Sequence, residues 1–158
     1  MCDNGDARFP RKVFASVLEL TGLFFAGFLS ATLLPGSSEA ALAALLASGR
    51  VDPAVAIAAA TVGNTLGSCV NWAIGAFLAH YRDHPRFPVK PEVFDRYGRW
   101  YARWGVWSLL LSWAPVIGDP LTVIAGVFRT PFAVFTAVVF AAKLLRYLVV
   151  AGVVTLVV

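Results

Sequence analysis

The chain has 158 residues, 59% of them hydrophobic and only 14% charged, with a net charge of +4. A soluble domain is nearer half apolar and a quarter charged, so a soluble fold of this length could not bury so much apolar side chain and the bilayer is the expected solvent. The basic residues flank or interrupt hydrophobic runs rather than forming one stripe, which argues against a nucleic-acid partner; one membrane domain accounts for the whole chain.

Residues 1–12 form a polar lead with Arg8, Arg11 and Lys12 before the first apolar run. The run 13–34 would be about 33 Å long as a helix, enough to cross a core of roughly 30 Å. It is too long for the apolar region of a signal peptide and carries Glu19, so it is expected to be a retained span. Glu19 itself reads as a carboxylate near the interface or facing protein, or as part of a proton relay. Pro35-Gly36 then ends the helix. Ser37 or Ser38 would cap a shorter helix from Glu39, which finishes near Arg50, Asp52 and Pro53. A break followed by a half-helix predicts a re-entrant element over 35–50.

Residues 54–79 are again apolar. Gly63, Gly67 and Gly75 fall on nearly one face, which suits close helix contact. Asn64 and Asn71 share that face; Asn64 is a candidate for a binding site, and Asn71 for that site or for an interhelical hydrogen bond. A connection follows over 80–105. Its first half holds Pro85, Pro88 and Pro91. From Glu92 onward Val93, Phe94, Tyr97, Trp100, Tyr101 and Trp104 recur at helical steps among Arg96, Arg99 and Arg103, which predicts a basic amphipathic helix at the headgroup level. The positive-inside rule puts this connection and the N-terminal lead in the cytoplasm.

The segment 106–128 is broken at Pro115 and at Gly118-Asp119-Pro120, and reads as a second re-entrant element. There Asp119 is placed to cap a helix with Pro120 at its first position. Arg129, Thr130 and Pro131 end it. Residues 132–157 form the last span, carrying Lys143 and Arg146 at mid-length.

Two halves thus repeat one pattern. Pro35, Glu39, Arg50, Pro53 and Asn64 parallel Pro115, Asp119, Arg129, Pro131 and Lys143. The expected fold is an all-α integral membrane protein with about three spanning helices and two opposed re-entrant helices in an inverted repeat, occupying 13–158. Transporters of that design place their substrate where broken helices meet. Half-helix N-termini attract anions, and a lysine and an arginine at mid-depth require partners, for which Glu39 and Asp119 are the candidates. A carboxylate that released its cation to an incoming anion and took a proton instead would couple movement to a proton gradient. Cys2 and Cys69 are far apart, no metal-ligand spacing is found, and no cofactor is expected.

The strings Phe28-Leu-Ser-Ala-Thr-Leu-Leu-Pro-Gly36 with Glu39, Gly63-Asn-Thr-Leu-Gly67 with Asn71, Tyr97-Gly98, Leu110-Leu-Ser-Trp-Ala-Pro-Val-Ile-Gly-Asp119, Ala125-Gly126, and Lys143 with Arg146-Tyr147 resemble the DedA family of bacterial membrane proteins, the SNARE-associated or VTT-domain group, in its short branch. The resemblance implies two opposed re-entrant helices, residence in the inner membrane, and movement of undecaprenyl phosphate or another anionic phospholipid in support of envelope integrity. By position it makes Glu39 and Asp119 the re-entrant acids, and Arg129 and Arg146 the basic partners. The chain lacks the longer first motif of larger members, with its extra acid and second proline. The competing classes are a non-transporting protein that organises partners, and a hydrolase using Ser37 or Ser38. The hydrolase lacks a histidine in any span, since His80 and His84 sit in the polar connection, and it would need a serine–lysine pair with Lys143. Three spans and two half-helices shield little polar space, which suits a homodimer.

Overall fold

A computed structural model describes residues 8–31, 37–79, 91–114 and 117–157. They form the helices α1 (Arg8–Ser30), α2 (Ser37–Ala47), α3 (Pro53–Leu78), α4 (Pro91–Trp104), a 3-10 segment (Gly105–Trp113), α5 (Gly118–Val127) and α6 (Phe132–Val157). The breakers Pro35, Gly36 and Pro115 and the histidines His80 and His84 lie outside the described residues.

Local chemistry sets the helix ends. Asp52 caps α3, its carboxylate accepting from the amides of Ala54 (2.8 Å) and Val55 (3.2 Å), with Pro53 in the first helical position. Asp119 does not cap α5 in the same way. The Gly118 amide already bonds the Ala114 carbonyl at 2.9 Å, so the helix starts earlier and Asp119 stands inside its first turn. Likewise α2 begins at Ser37 rather than near Glu39. At the other end of α5 the Thr130 amide bonds Ala125 and the Arg129 amide bonds Gly126. This double closure requires a left-handed residue between them, and Arg129 occupies it with φ 53°. The amphipathic helix expected from Glu92 is present as α4, and the stretch after it winds as a 3-10 segment.

Among the described residues two helices, α3 and α6, are long and apolar enough to cross a membrane by length and composition. Along α6 the exposed residues Leu145, Leu148, Val149, Val153 and Leu156 form one apolar face. In water such a face would be an aggregation surface; in lipid it is the ordinary exterior.

Contacts fix the helix directions. Along α1 and α3, Gly63 packs on Phe24, Gly67 on Phe28 and Ala31, and Asn71 donates to the Ala31 carbonyl at 2.8 Å. Numbers rise together on both helices, so they run parallel. The end of α1 therefore lies beside the later middle of α3. Between α3 and α6 the order reverses. Asn64 meets Tyr147, Cys69 meets Thr136, and Trp72 meets Phe132 and Phe135, so these two helices are antiparallel. The short helix of each half packs on the long helix of the other, α2 on α6 and α5 on α3.

Two apolar clusters result. One joins Leu23, Leu42, Ala56, Ile57, Ala60, Tyr147 and Ala151 around α2. The other joins Tyr101, Leu109, Leu121, Ile124, Ala125, Phe135 and Val139 around α5. Lys143 and Arg146 fall on α6 between them.

Candidate functional site

Glu39 sits in the first turn of α2 and Asp119 in the first turn of α5. A carboxylate there is favoured by the positive end of the helix dipole. Each reaches a cation on α6: Arg146 Nη2 is in direct contact with Glu39 Oε1, and Lys143 Nζ lies 3.7 Å from Asp119 Oδ1. The two cations are three residues apart, hence on one helical face. The Lys143 side chain is 2% exposed and that of Arg146 10%, whereas Glu39 and Asp119 retain 19% and 26%. The carboxylates form the accessible side of a cluster whose four formal charges cancel.

Asn64 belongs to the same cluster. It occupies the twelfth position of α3, as Lys143 does of α6. Its Nδ2 donates to the Tyr147 hydroxyl at 2.7 Å, and that hydroxyl donates to Ser38 Oγ at 2.8 Å. Ser38 Oγ is 3.1 Å from Ser30 Oγ. Asn71 links a second set, donating to Thr122 Oγ1 at 3.2 Å, while Thr122 donates to the Asp119 carbonyl at 2.7 Å. Gly63 and Gly67 hold α1 against α3, and Gly118 holds the start of α5 against the Ser112 backbone. Arg129 stands apart. It is exposed at the far end of α5, about 15 Å along the axis from Asp119.

Sequence reasoning missed Tyr147 and Ser30, and it weighed Ser38 only as a helix cap or a nucleophile and not as a partner of Tyr147. Tyr147 had a visible signal, since it follows Lys143 by four positions and so lies on the same face. Glu19 pairs with Arg50 at 3.3 Å, a link between the first half of the chain's two arms that neither position announced. Two pockets lie away from the cluster. One of about 350 Å³ opens between α1 and α2 beside Glu19, Ala44, Ser48 and Arg50; one of about 340 Å³ is lined by Trp100, Trp104, Trp107, Ser108 and Leu111. The ion pairs join α6 to the first turns of α2 and α5. Among the described residues no three His, Cys, Asp or Glu side chains are gathered as a metal site.

The VTT domain matches residues 9–156. Over 138 residues, 87% of this chain and 92% of the relative, the sequence is 41% identical to Inner membrane protein YqaA of Escherichia coli (strain K12), with the same figures for Inner membrane protein YqaA of Shigella flexneri. It is 38% identical over 132 residues, 79% of this chain and 80% of the relative, to an uncharacterized protein of Haemophilus influenzae. No solved structure matches the chain. With the domain covering nearly every residue and relatives of this similarity named as inner membrane proteins, the chain belongs to the VTT-domain (DedA) family of membrane proteins.

Proposed function

We propose that the protein moves an anionic lipid, undecaprenyl phosphate or a phospholipid, across the inner membrane. The observation that carries this reading is the cluster itself: two acids in the first turns of two half-helices meet two cations at the twelfth and fifteenth positions of a 26-residue apolar helix. An inert bundle gains nothing from four charges at that depth and would be more stable with apolar residues in their place. A phosphate can take the place of either carboxylate on its cation, and charge stays balanced if the released carboxylate takes up a proton.

Helix directions support a re-entrant path that differs from the expected one. The Glu19–Arg50 pair ties the middle of α1 to the end of α2. Residues 19–31 descend about 18 Å and α2 returns about 16 Å, each roughly half of a 30 Å core. On this reading α3 and α6 alone cross from side to side, and the 3-10 segment with α5 forms the opposed hairpin. A cytoplasmic lead together with a cytoplasmic connection would need two crossings between them. This packing supports one, so we assign them to opposite faces, with the connection, which carries more lysine and arginine, in the cytoplasm. In right-side-out vesicles, a membrane-impermeant maleimide is expected to label Cys2 in the intact vesicle and a Pro88→Cys reporter only after permeabilisation. Labelling of both, or neither, before permeabilisation would refute the assignment.

Lipid movement is tested by reconstitution into proteoliposomes with labelled polyprenyl phosphate or phospholipid, with and without a pH gradient. Movement faster than in empty vesicles, and lost in Glu39→Gln, is expected. Rates equal to those of empty vesicles would end the proposal and favour a protein that organises partners instead.

A further inference from the structure

One side of α4 builds the fold and the other does not. Tyr101 stacks on Phe128 with ring centres 5.3 Å apart, its hydroxyl bonds Thr130 Oγ1, and a methyl on Gly98 would touch the same ring. That packing leaves Trp100 and Trp104 turned outward, 44% and 60% exposed. The chain then bends at Gly105, whose φ of 55° is left-handed and suits glycine. Ser108 Oγ ties the bend by donating to the Gly105 carbonyl at 2.7 Å. Beyond it Trp107 is 74% exposed. The two arms of this corner enclose the cleft of about 340 Å³ between Trp100, Trp104, Trp107, Ser108 and Leu111.

Three indoles and a leucine make the wall of this cleft, and its one hydroxyl is already bonded to the backbone. Water there would find few partners, so an apolar occupant is favoured. A helix with indoles on one side and arginines among them lies at the headgroup level of a bilayer. The apolar groups nearest to it are lipid chains. Charge then selects the headgroup. Arg103 follows Trp100 by three positions and is exposed on the same side of α4. The residues three and four positions from it are Arg99, Trp100, Val106 and Trp107, none of them acidic. A lipid whose chain enters the cleft therefore meets a guanidinium suited to its phosphate. A zwitterionic lipid brings its own cation to compete with Arg103 and finds no carboxylate at those positions to receive it.

We infer that this corner is a binding site for a phospholipid of net negative charge, whose chain lies among the indoles of Trp100, Trp104 and Trp107 and whose phosphate is held by Arg103. The site stands on α4 and the 3-10 segment alone. It shares no residue with the charge cluster on α6, and it holds its lipid whether or not the protein moves one.

The test is tryptophan fluorescence of the full-length protein in phosphatidylcholine vesicles that contain a minority of lipid brominated on its acyl chains, either phosphatidylglycerol or phosphatidylcholine. Bromine quenches the indoles it touches, so quenching reports which lipid lies against them. At equal mole fraction, brominated phosphatidylglycerol is expected to quench about threefold or more better. The preference should persist in about 0.5 M salt, where diffuse surface attraction is screened. Arg103→Gln is expected to keep the quenching and lose the preference. Trp107→Ala opens the cleft; it should leave the protein folded, since that indole is mostly exposed, and reduce the preference by half or more. Arg50→Gln, an exposed arginine outside α4, should leave the preference intact. Equal quenching of the wild type by the two lipids would mean that bulk lipid merely wets the indoles. No quenching by either would mean that something other than lipid, such as a partner's helix, covers them. Either result would overturn the site, as would a preference that vanishes in salt or one unchanged in Arg103→Gln or Trp107→Ala. Lipid movement is read separately: vesicles that show the preference without movement keep this site and remove transport, and movement without the preference does the reverse.

Discussion

Arg146→Met is expected to destabilise the protein by about 3–5 kcal/mol, the cost of leaving one member of a buried pair without its partner. Glu39 would then keep a carboxylate within the protein with only the α2 dipole and a long Ser38 hydrogen bond (3.5 Å) to offset it. Adding Glu39→Gln should recover most of the loss, because the stranded charge disappears, and the coupling in the double-mutant cycle should be large. Arg146→Lys should not recover it, since an ammonium cannot offer the planar donor fork of a guanidinium. The comparison is Arg50→Ala. Its partner Glu19 is less exposed, but Arg50 is 72% exposed, and a pair so open contributes about 0–1 kcal/mol. Denaturant unfolding of these purified variants, with Glu39→Gln alone to complete the cycle, measures each. Should Arg146→Met and the double variant both lie within about 0.5 kcal/mol of wild type, a buried pair would be the wrong description.

Much of this arrangement could be read from residue order. The paired breakers with an acid shortly after each, the lysine and arginine in the middle of an apolar run, and the aromatic steps of α4 are local patterns. Local patterns survive without coordinates. The position of α1 along α3 was not legible, because hydropathy reports that residues 13–34 suit lipid and says nothing about which part of α3 they lie beside. The glycine contacts that set the level, Phe24 with Gly63 and Phe28 with Gly67, join positions far apart in the chain. Tyr147 was missed for the same reason: its hydroxyl meets Ser38, which lies 109 residues away. Arg129 shows the opposite case. Its backbone performs the helix closure that glycine usually performs, and its exposed side chain lies at the far end of α5 from Asp119. Asp52 could have been found, since an Asp-Pro pair before an apolar run carries the same capping logic that was applied to Asp119-Pro120, where the helix instead starts earlier.

The seam between α3 and α5 should be the least tolerant of added atoms. A methyl group built on Gly75 would run into the Val123 carbonyl, and one on Gly126 into the Trp72 carbonyl, so each helix uses its glycine to admit the backbone of the other. Neither obstacle is a side chain that could turn aside. Gly75→Ala or Gly126→Ala is therefore expected to cost about 1–3 kcal/mol or more, and the two together less than their sum, since a seam already forced apart has room for the second methyl. Gly22 and Gly152 provide the contrast. A methyl on either meets nothing within 4 Å, so alanine there should be neutral or should stabilise by about 0.5–1 kcal/mol through helix propensity. Function should follow the seam as well. α5 carries Asp119 in its first turn, and Asn71 of α3 holds Thr122 one turn later, so lifting α5 away from α3 shifts the carboxylate relative to Lys143. Gly126→Ala is expected to reduce lipid movement in vesicles even at a temperature where the variant remains folded, while Gly152→Ala leaves it unchanged. Normal stability and normal movement in Gly75→Ala/Gly126→Ala would show that α5 need not lie against α3 for the protein to work, and the positioning of Asp119 would then require another cause.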